Sequence, residues 1–205
     1  MADTNAVAEF LPSRHGLRFA NRFEPGPTLR IGPLDPRWIG IGDAAAGLCG
    51  GMAWLVREWF EAGRPIPPDP SAPANGSPLF RAIVRRQVRS LDWFRTSLRF
   101  WWMGAVGTER ALRHTRTRAW PRIRREIDHG RLPLVGLIRH HGPSPWAMTE
   151  SHQVLAWAYA VEDGTVTLRV YDPNWPGRDD VTLTVDADGV RQSTGEPLSG
   201  LIVLG

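Results

Sequence analysis

Apolar positions between Met52 and Phe60 recur at intervals of three and four residues (Met52, Ala53, Leu55, Val56, Trp59, Phe60), the period of a helix with one buried face. The spacing predicts a helix over residues 49 to 62, with Gly63 and Pro65 as its stop. Residues 64 to 77 hold five prolines and form a loop. Ser77 then supplies an N-cap and Pro78 the first helical position of a second helix, whose buried stripe is Phe80, Ile83, Val84, Val88 and Leu91. A third helix starts near Thr108, and Trp120-Pro121 restarts a helix that turns Ile123 and Ile127 inward until Gly130 ends it. Residues 92 to 107 are rich in tryptophan and phenylalanine without a clean period and receive no assignment.

From Leu132 the period drops to two. Strands are predicted over 134 to 139, 152 to 161, 165 to 171, 181 to 185 and 198 to 204, separated by turn signals such as Glu162-Asp163-Gly164 and Asp186-Ala187-Asp188-Gly189. Helices followed by an antiparallel sheet make an α+β fold. The first forty residues, with Pro12, Pro25, Pro27, Pro33 and Pro36 among arginines and aromatics, read as an extended arm over the body. The chain thus divides into an arm (1–40), a helical half (41–131) and a sheet half (132–205). Its 205 residues, 42% hydrophobic, suit one domain with one substantial core.

Composition narrows the chemistry. A single cysteine makes neither an internal disulfide nor a multi-cysteine zinc site, so Cys49 matters, if at all, as a thiol. No His-Glu-x-x-His or Cys-x-x-Cys spacing occurs, and His140 and His141, adjacent on a strand end, point to opposite faces; no metal and no cofactor are expected. The N-terminus lacks the features of a signal peptide, and no stretch approaches the roughly 20 apolar residues of a membrane span, so the expectation is a cytoplasmic protein, with export by a signal-independent route left open. Every basic residue is arginine. Fourteen of them lie between Arg81 and Arg131, against Asp92, Glu109, Glu126 and Asp128. They are read as solvated helix faces, and nucleic acid is not expected as a partner. Nothing in the pattern speaks to oligomeric state.

A catalytic cysteine needs its thiolate, and a helix N-terminus with a nearby imidazolium stabilises one. Cys49 starts the first helix, and small residues flank it, including Gly50 and Gly51, so backbone has room to approach a substrate carbonyl and the N–H of Cys49 to serve as an oxyanion donor. The competing reading is a buried structural thiol. Six histidines compete as the base: His15, His114, His129, His140, His141 and His152. His114 and His129 lie in arginine-rich helical stretches. His152 opens a strand, and the following strand leads to Asp172 and Asn174, either of which could orient an imidazole. Register decides which face Asp172 takes. A two-residue loop at Asp163-Gly164 would put residue 172 opposite 155 and turn Asp172 away from His152. A three-residue loop, Glu162-Asp163-Gly164, would pair 161 with 165, place Asn174 opposite His152 and leave Asp172 as its diagonal neighbour on the same face. The three-residue loop is the expectation, with Asp172 as the orienter. The competing reading of Asp172-Pro173-Asn174 is turn chemistry alone.

Three segments resemble a known family. Gly47-Leu48-Cys49-Gly50-Gly51-Met52, Ser151-His152-Gln153-Val154-Leu155-Ala156 and Val170-Tyr171-Asp172-Pro173-Asn174-Trp175-Pro176-Gly177 look like the bacterial papain-like cysteine peptidases grouped as C39-like, over roughly residues 38 to 185. The resemblance implies a papain-like fold, a helical half carrying the cysteine against an antiparallel sheet carrying the histidine and aspartate. It also implies hydrolysis of a peptide or amide bond by Cys49, His152 and Asp172. The family usually carries glutamine six residues before the cysteine as an oxyanion donor, and this chain has Asp43 there, an acceptor only. Three readings follow: Asp43 caps the helix while another amide, such as that of Gln153, donates; the enzyme is slow; or the site is inactive and the chain a binding module. An acyltransferase or deamidase on the same fold would share the same thioester. The loop from Gly142 to Ser151, with Trp146 and Met148, is expected to shape specificity.

Overall fold

A computed structural model of the chain describes residues 3–26, 44, 47–90, 102–103, 105–139, 152–195 and 197–204. Asp43, His140, His141, the 142–151 loop and most of residues 92 to 107 lie outside these. The first two predicted helices form as α2 (Cys49–Glu61) and α3 (Pro78–Ser90), after a single turn α1 (Pro12–His15). α2 ends on Gly63, whose N–H donates to the Phe60 carbonyl at 3.0 Å while Arg64 N–H donates to that of Trp59 at 2.8 Å, the paired bonds of a Schellman cap. α3 begins as its sequence dictates, with Ser77 Oγ accepting the Phe80 N–H at 3.2 Å. The two helices bury Met52, Leu55 and Val56 with Phe80, Ile83 and Val84 in one core cluster.

The later helical region differs from expectation. In place of a stop and a restart, α4 (Thr108–His114) runs through a π turn (Thr115–Ala119) directly into α5 (Trp120–Asp128). Trp120 N–H reaches back to the Thr115 carbonyl. Pro121 has no N–H to give the carbonyl four residues before it, and the wider π turn keeps the helix continuous there. Gly130 ends it, as predicted, with Gly130 N–H on Ile127 O at 2.8 Å and Arg131 N–H on Glu126 O at 2.9 Å.

The sheet is antiparallel throughout. Its strands are β1 (Asp3–Ala6), β2 (Leu134–Ile138), β3 (His152–Glu162), β4 (Thr165–Tyr171), β5 (Thr182–Val185), β6 (Val190–Gln192), β7 (Pro197–Leu198) and β8 (Gly200–Leu204). They are ordered β7-β6-β5-β4-β3-β2-β8, with β1 also on β3. The single strand predicted over 198 to 204 forms as two, β7 and β8, and two further strands, β6 and β1, were not expected. β6 is only three residues long, too short to show an alternation. β1 corrects the picture of a wholly irregular arm: Asp3 to Ala6 pair with Val161 to Ala158, where β2, which pairs only as far as Leu155, leaves the edge of β3 open. Phe10, Leu17, Phe19 and Phe23 carry the same segment into the core. β2 and β8 are buried along their whole length. α2 packs on β3 and β2, α4 on β8, and α5 on β3 and β1.

The β3–β4 register reaches the expected end by a different route. The hairpin turn is the two-residue one: Glu162 pairs with Thr165, and Asp163 and Gly164 both have positive φ (47° and 78°), as a type I′ turn requires. By itself this register would turn Asp172 away from His152. A β-bulge between Ala156 and Ala158 shifts the pairing by one residue, so that Ala156 pairs with Val170 and Leu155 with Tyr171. The extra residue is Trp157. Its carbonyl accepts the Val7 N–H at 2.8 Å, and its ring packs near Phe10 and under the Arg169 guanidinium. Beyond the bulge the phase is the one a three-residue loop would have produced, and Asp172 follows on the His152 side.

Candidate functional site

Cys49 is the first residue of α2, and no side chain caps that helix from Leu48, its N-cap position. His152 is the first residue of β3, and Asp172 follows the last residue of β4. The three meet although all are nearly removed from solvent, with Cys49 9%, His152 3% and Asp172 0% exposed. His152 Nε2 lies 2.6 Å from Asp172 Oδ1. The ring is also hydrogen-bonded to the Cys49 thiol, and with Nε2 committed to the carboxylate that bond falls to Nδ1. Backbone N–H groups of Gln153 and Gly50 donate to the same sulfur.

Asp172 is fixed from three sides. Oδ1 also accepts the Asn174 N–H at 2.8 Å, and Oδ2 accepts Gln192 Nε2 at 2.5 Å. Burial alone would raise its pKa, but the His152 charge and these donors hold its carboxyl below the ordinary range. Burial would likewise lower His152, yet the Asp172 carboxylate and then the Cys49 thiolate push it up to about 9. For Cys49 burial works toward the neutral thiol, and the imidazolium charge, the imidazole hydrogen bond and the two backbone N–H groups together overcome it, leaving the thiol below its ordinary value. Each of the three groups thus favours the ionised form of its neighbour: carboxylate, imidazolium and thiolate in a row.

The glycine pair has a structural cause besides any substrate. A Cβ on Gly51 would collide with the Ile83 carbonyl oxygen and sit 3.0 Å from Gln87 N, so α3 crosses here only because no side chain is present. A Cβ on Gly50 would collide with the Gln153 side-chain oxygen and lie 2.5 Å from Ser90 Oγ. Gly51 N–H, one of the donors a helix start leaves without an intrahelical partner, goes to Gln87 Oε1 at 2.7 Å.

Of the auxiliary residues read from sequence, Gln153 reaches Cys49 through its backbone N–H, while its side chain is buried against Gly50 with Oε1 lacking a hydrogen-bond partner among the described residues. Asn174 faces Asp172 by its main chain, and its side-chain oxygen accepts from Asn21 Nδ2 at 3.2 Å. His129 is an exposed residue on the Arg125 carbonyl, and His15 is packed between Phe10 and Phe60. Two contributors escaped the sequence reading. Gln192 sits on the short β6, though the turn signal ending at Gly189 followed by Val190-Arg191-Gln192 was a trace of that strand. Asn21 lies in the irregular N-terminal segment and carried no signal.

Among the described residues no group of three or more His, Cys, Asp or Glu side chains is disposed to hold a metal ion, and no helix is long and apolar enough to cross a membrane. Compared with protein-family models, curated proteins and solved structures, the chain matches none.

Proposed function

We propose that this chain is a papain-like cysteine hydrolase acting on a peptide or amide bond. The observation that carries the reading is a buried imidazole bonded on one nitrogen to Asp172 and on the other to a thiol at a helix start. The Cys49 thiolate attacks the carbonyl carbon, forming a C–S bond and moving the carbonyl electron pair onto oxygen. The oxyanion collapses, the C–N bond breaks, and His152 gives its Nδ1 proton to the departing amine. Neutral His152 then takes a proton from water, whose oxygen attacks the thioester; the acid leaves, and thiolate and imidazolium are restored. Asp172 stays ionised and holds the ring. Of the N–H groups that open α2, that of Leu48 goes to Asn21, that of Gly50 to the Cys49 sulfur and that of Gly51 to Gln87. Among the described residues these contacts leave the N–H of Cys49 as the donor for the oxyanion.

The test is alkylation of the folded protein by iodoacetamide as a function of pH, with His152→Ala beside it, followed by mass spectrometry of products from a peptide library with and without added amine. An acidic thiol that loses its reactivity in the variant, and a covalent acyl adduct on Cys49, are expected. A folded wild type whose thiol reacts no faster at pH 6 than a free cysteine overturns the reading. Transfer of the acyl group to amine in preference to water would make the enzyme a transferase.

A further inference from the structure

We propose that Asn21 is a positioning residue that joins the start of the cysteine-bearing helix to the turn after Asp172, and so holds Cys49 against His152. The inference rests on the thiol-hydrolase reading above.

The nucleophile and its base come from different parts of the fold: Cys49 from α2, His152 and Asp172 from the sheet. Asn21 belongs to neither and bonds to both. Its Oδ1 accepts the Leu48 N–H at 2.6 Å, one residue before the thiol, and its Nδ2 donates to Asn174 Oδ1 at 3.2 Å, two residues after the carboxylate. Its own N–H donates to the Pro173 carbonyl at 2.9 Å, which fixes its backbone to the same turn. The chain before the helix is shaped around this side chain. Gly47 has φ +88°, and a Cβ there would lie 2.6 Å from Asn21 Nδ2. Only a side-chain amide offers an acceptor and a donor side by side in so short a reach; an aspartate would lack the donor and face Asn174 Oδ1 with a second acceptor. Because α2 has no side-chain cap from Leu48, the Asn21 bond is what secures the N–H at that position.

A residue that merely anchored the N-terminal segment would change stability and leave thiol ionisation alone. The experiment therefore measures both, for wild type, Asn21→Ala, Asn174→Ala and the double variant: the pH dependence of iodoacetamide alkylation, and unfolding in urea. Asn21→Ala is expected to raise the Cys49 midpoint by about one pH unit and to slow alkylation about tenfold at pH values well below the wild-type midpoint, because the thiolate fraction follows the midpoint. Asn174→Ala moves it in the same direction, and the double variant loses no more than Asn21→Ala, since the two residues act through one bond. Asn174 is exposed, so its variant keeps the test decisive if Asn21→Ala fails to fold. Folded single variants that titrate as wild type, or losses that add, overturn the proposal. A wild-type thiol with an ordinary midpoint would overturn the hydrolase reading itself; a lowered wild-type midpoint unchanged by either variant overturns only the role of Asn21.

Discussion

Replacing Asp172 by asparagine isolates the charge that holds the site in its ionised form. The substitution keeps the shape and one acceptor. Oδ1 still takes the His152 Nε2–H and the Asn174 N–H, while the new Nδ2 faces Gln192 Nε2, donor against donor, where the carboxylate accepted at 2.5 Å. Gln192 Oε1 has no hydrogen-bond partner among the described residues, so turning its amide over presents an oxygen to the new donor. Three charge-assisted bonds become three neutral ones, a loss of about 1–3 kcal/mol that a folded domain survives. Asp172→Ala, in contrast, leaves two buried donors, His152 Nε2–H and Gln192 Nε2, unmet at roughly 1–3 kcal/mol each, frees the part-buried Asn174 N–H, and is expected to unfold the protein.

The chemical effect is larger in kind. His152 stands at about 9 against an ordinary 6.5, a gap of roughly 3 kcal/mol, and the Asp172 carboxylate is the foremost influence raising it. Removing that charge lowers the imidazole midpoint from about 9 toward its ordinary 6.5, and the Cys49 midpoint rises because its imidazolium partner is less available. Cys49 is the only cysteine, so thiolate absorbance at 240 nm, read against Cys49→Ser, reports it directly. Burial raises both tyrosines, Tyr159 and Tyr171, and moves their ionisation out of the window. Nitrogen-detected imidazole NMR gives the His152 midpoint. A folded Asp172→Asn protein whose imidazole midpoint stays near 9 would refute the reasoning.

The pH dependence of stability carries a sign that the pair and its parts do not share. His152, raised, contributes stability that is full below pH 6.5 and lost as pH rises through about 9; Cys49, lowered, contributes stability present above its ordinary 9.0 and lost as pH falls through its folded value. Where pH lies above both 6.5 and the folded Cys49 midpoint but below about 9, the two offset, because folded and unfolded states hold the same number of protons, and urea midpoints should be flat there for wild type yet fall with rising pH for Cys49→Ala. Asp172, lowered, adds stability that disappears as pH falls below 3.8, so Asp172→Asn should soften acid unfolding. Gly51→Ala, against the fixed backbone of α3, should cost about 3 kcal/mol or more in urea unfolding, and Gly50→Ala, against two side-chain ends, nearer 1 kcal/mol. Equal losses would show that α3 yields as readily as Gln153 and Ser90.

What the sequence determined by itself is what repeats locally. The period of Met52 to Phe60 with Gly63 after it fixed α2, Ser77-Pro78 fixed the start of α3, and the pattern from Leu132 onward fixed β2 to β5 and β8, though not the break that sets β7 apart from β8, because helix and strand are written in spacings of a few residues. The order of cysteine at a helix start, histidine at a strand start and aspartate after the next strand was legible for the same reason. Tertiary structure decided how these elements register. The two-residue turn at Asp163-Gly164 would have separated His152 from Asp172, and the bulge at Trp157 reverses that. The bulge depends on Val7 and Phe10, which are about 150 residues distant in sequence, and no local pattern encodes such a contact. The second charge support of Asp172, from Gln192, and the bridge through Asn21 are of the same kind. So is the cause of Gly50-Gly51, which the sequence reading assigned to substrate and the fold assigns also to the passage of α3. A side chain's type states what it can bond; which partner it meets is set by where the packed core leaves room and an unmet donor or acceptor.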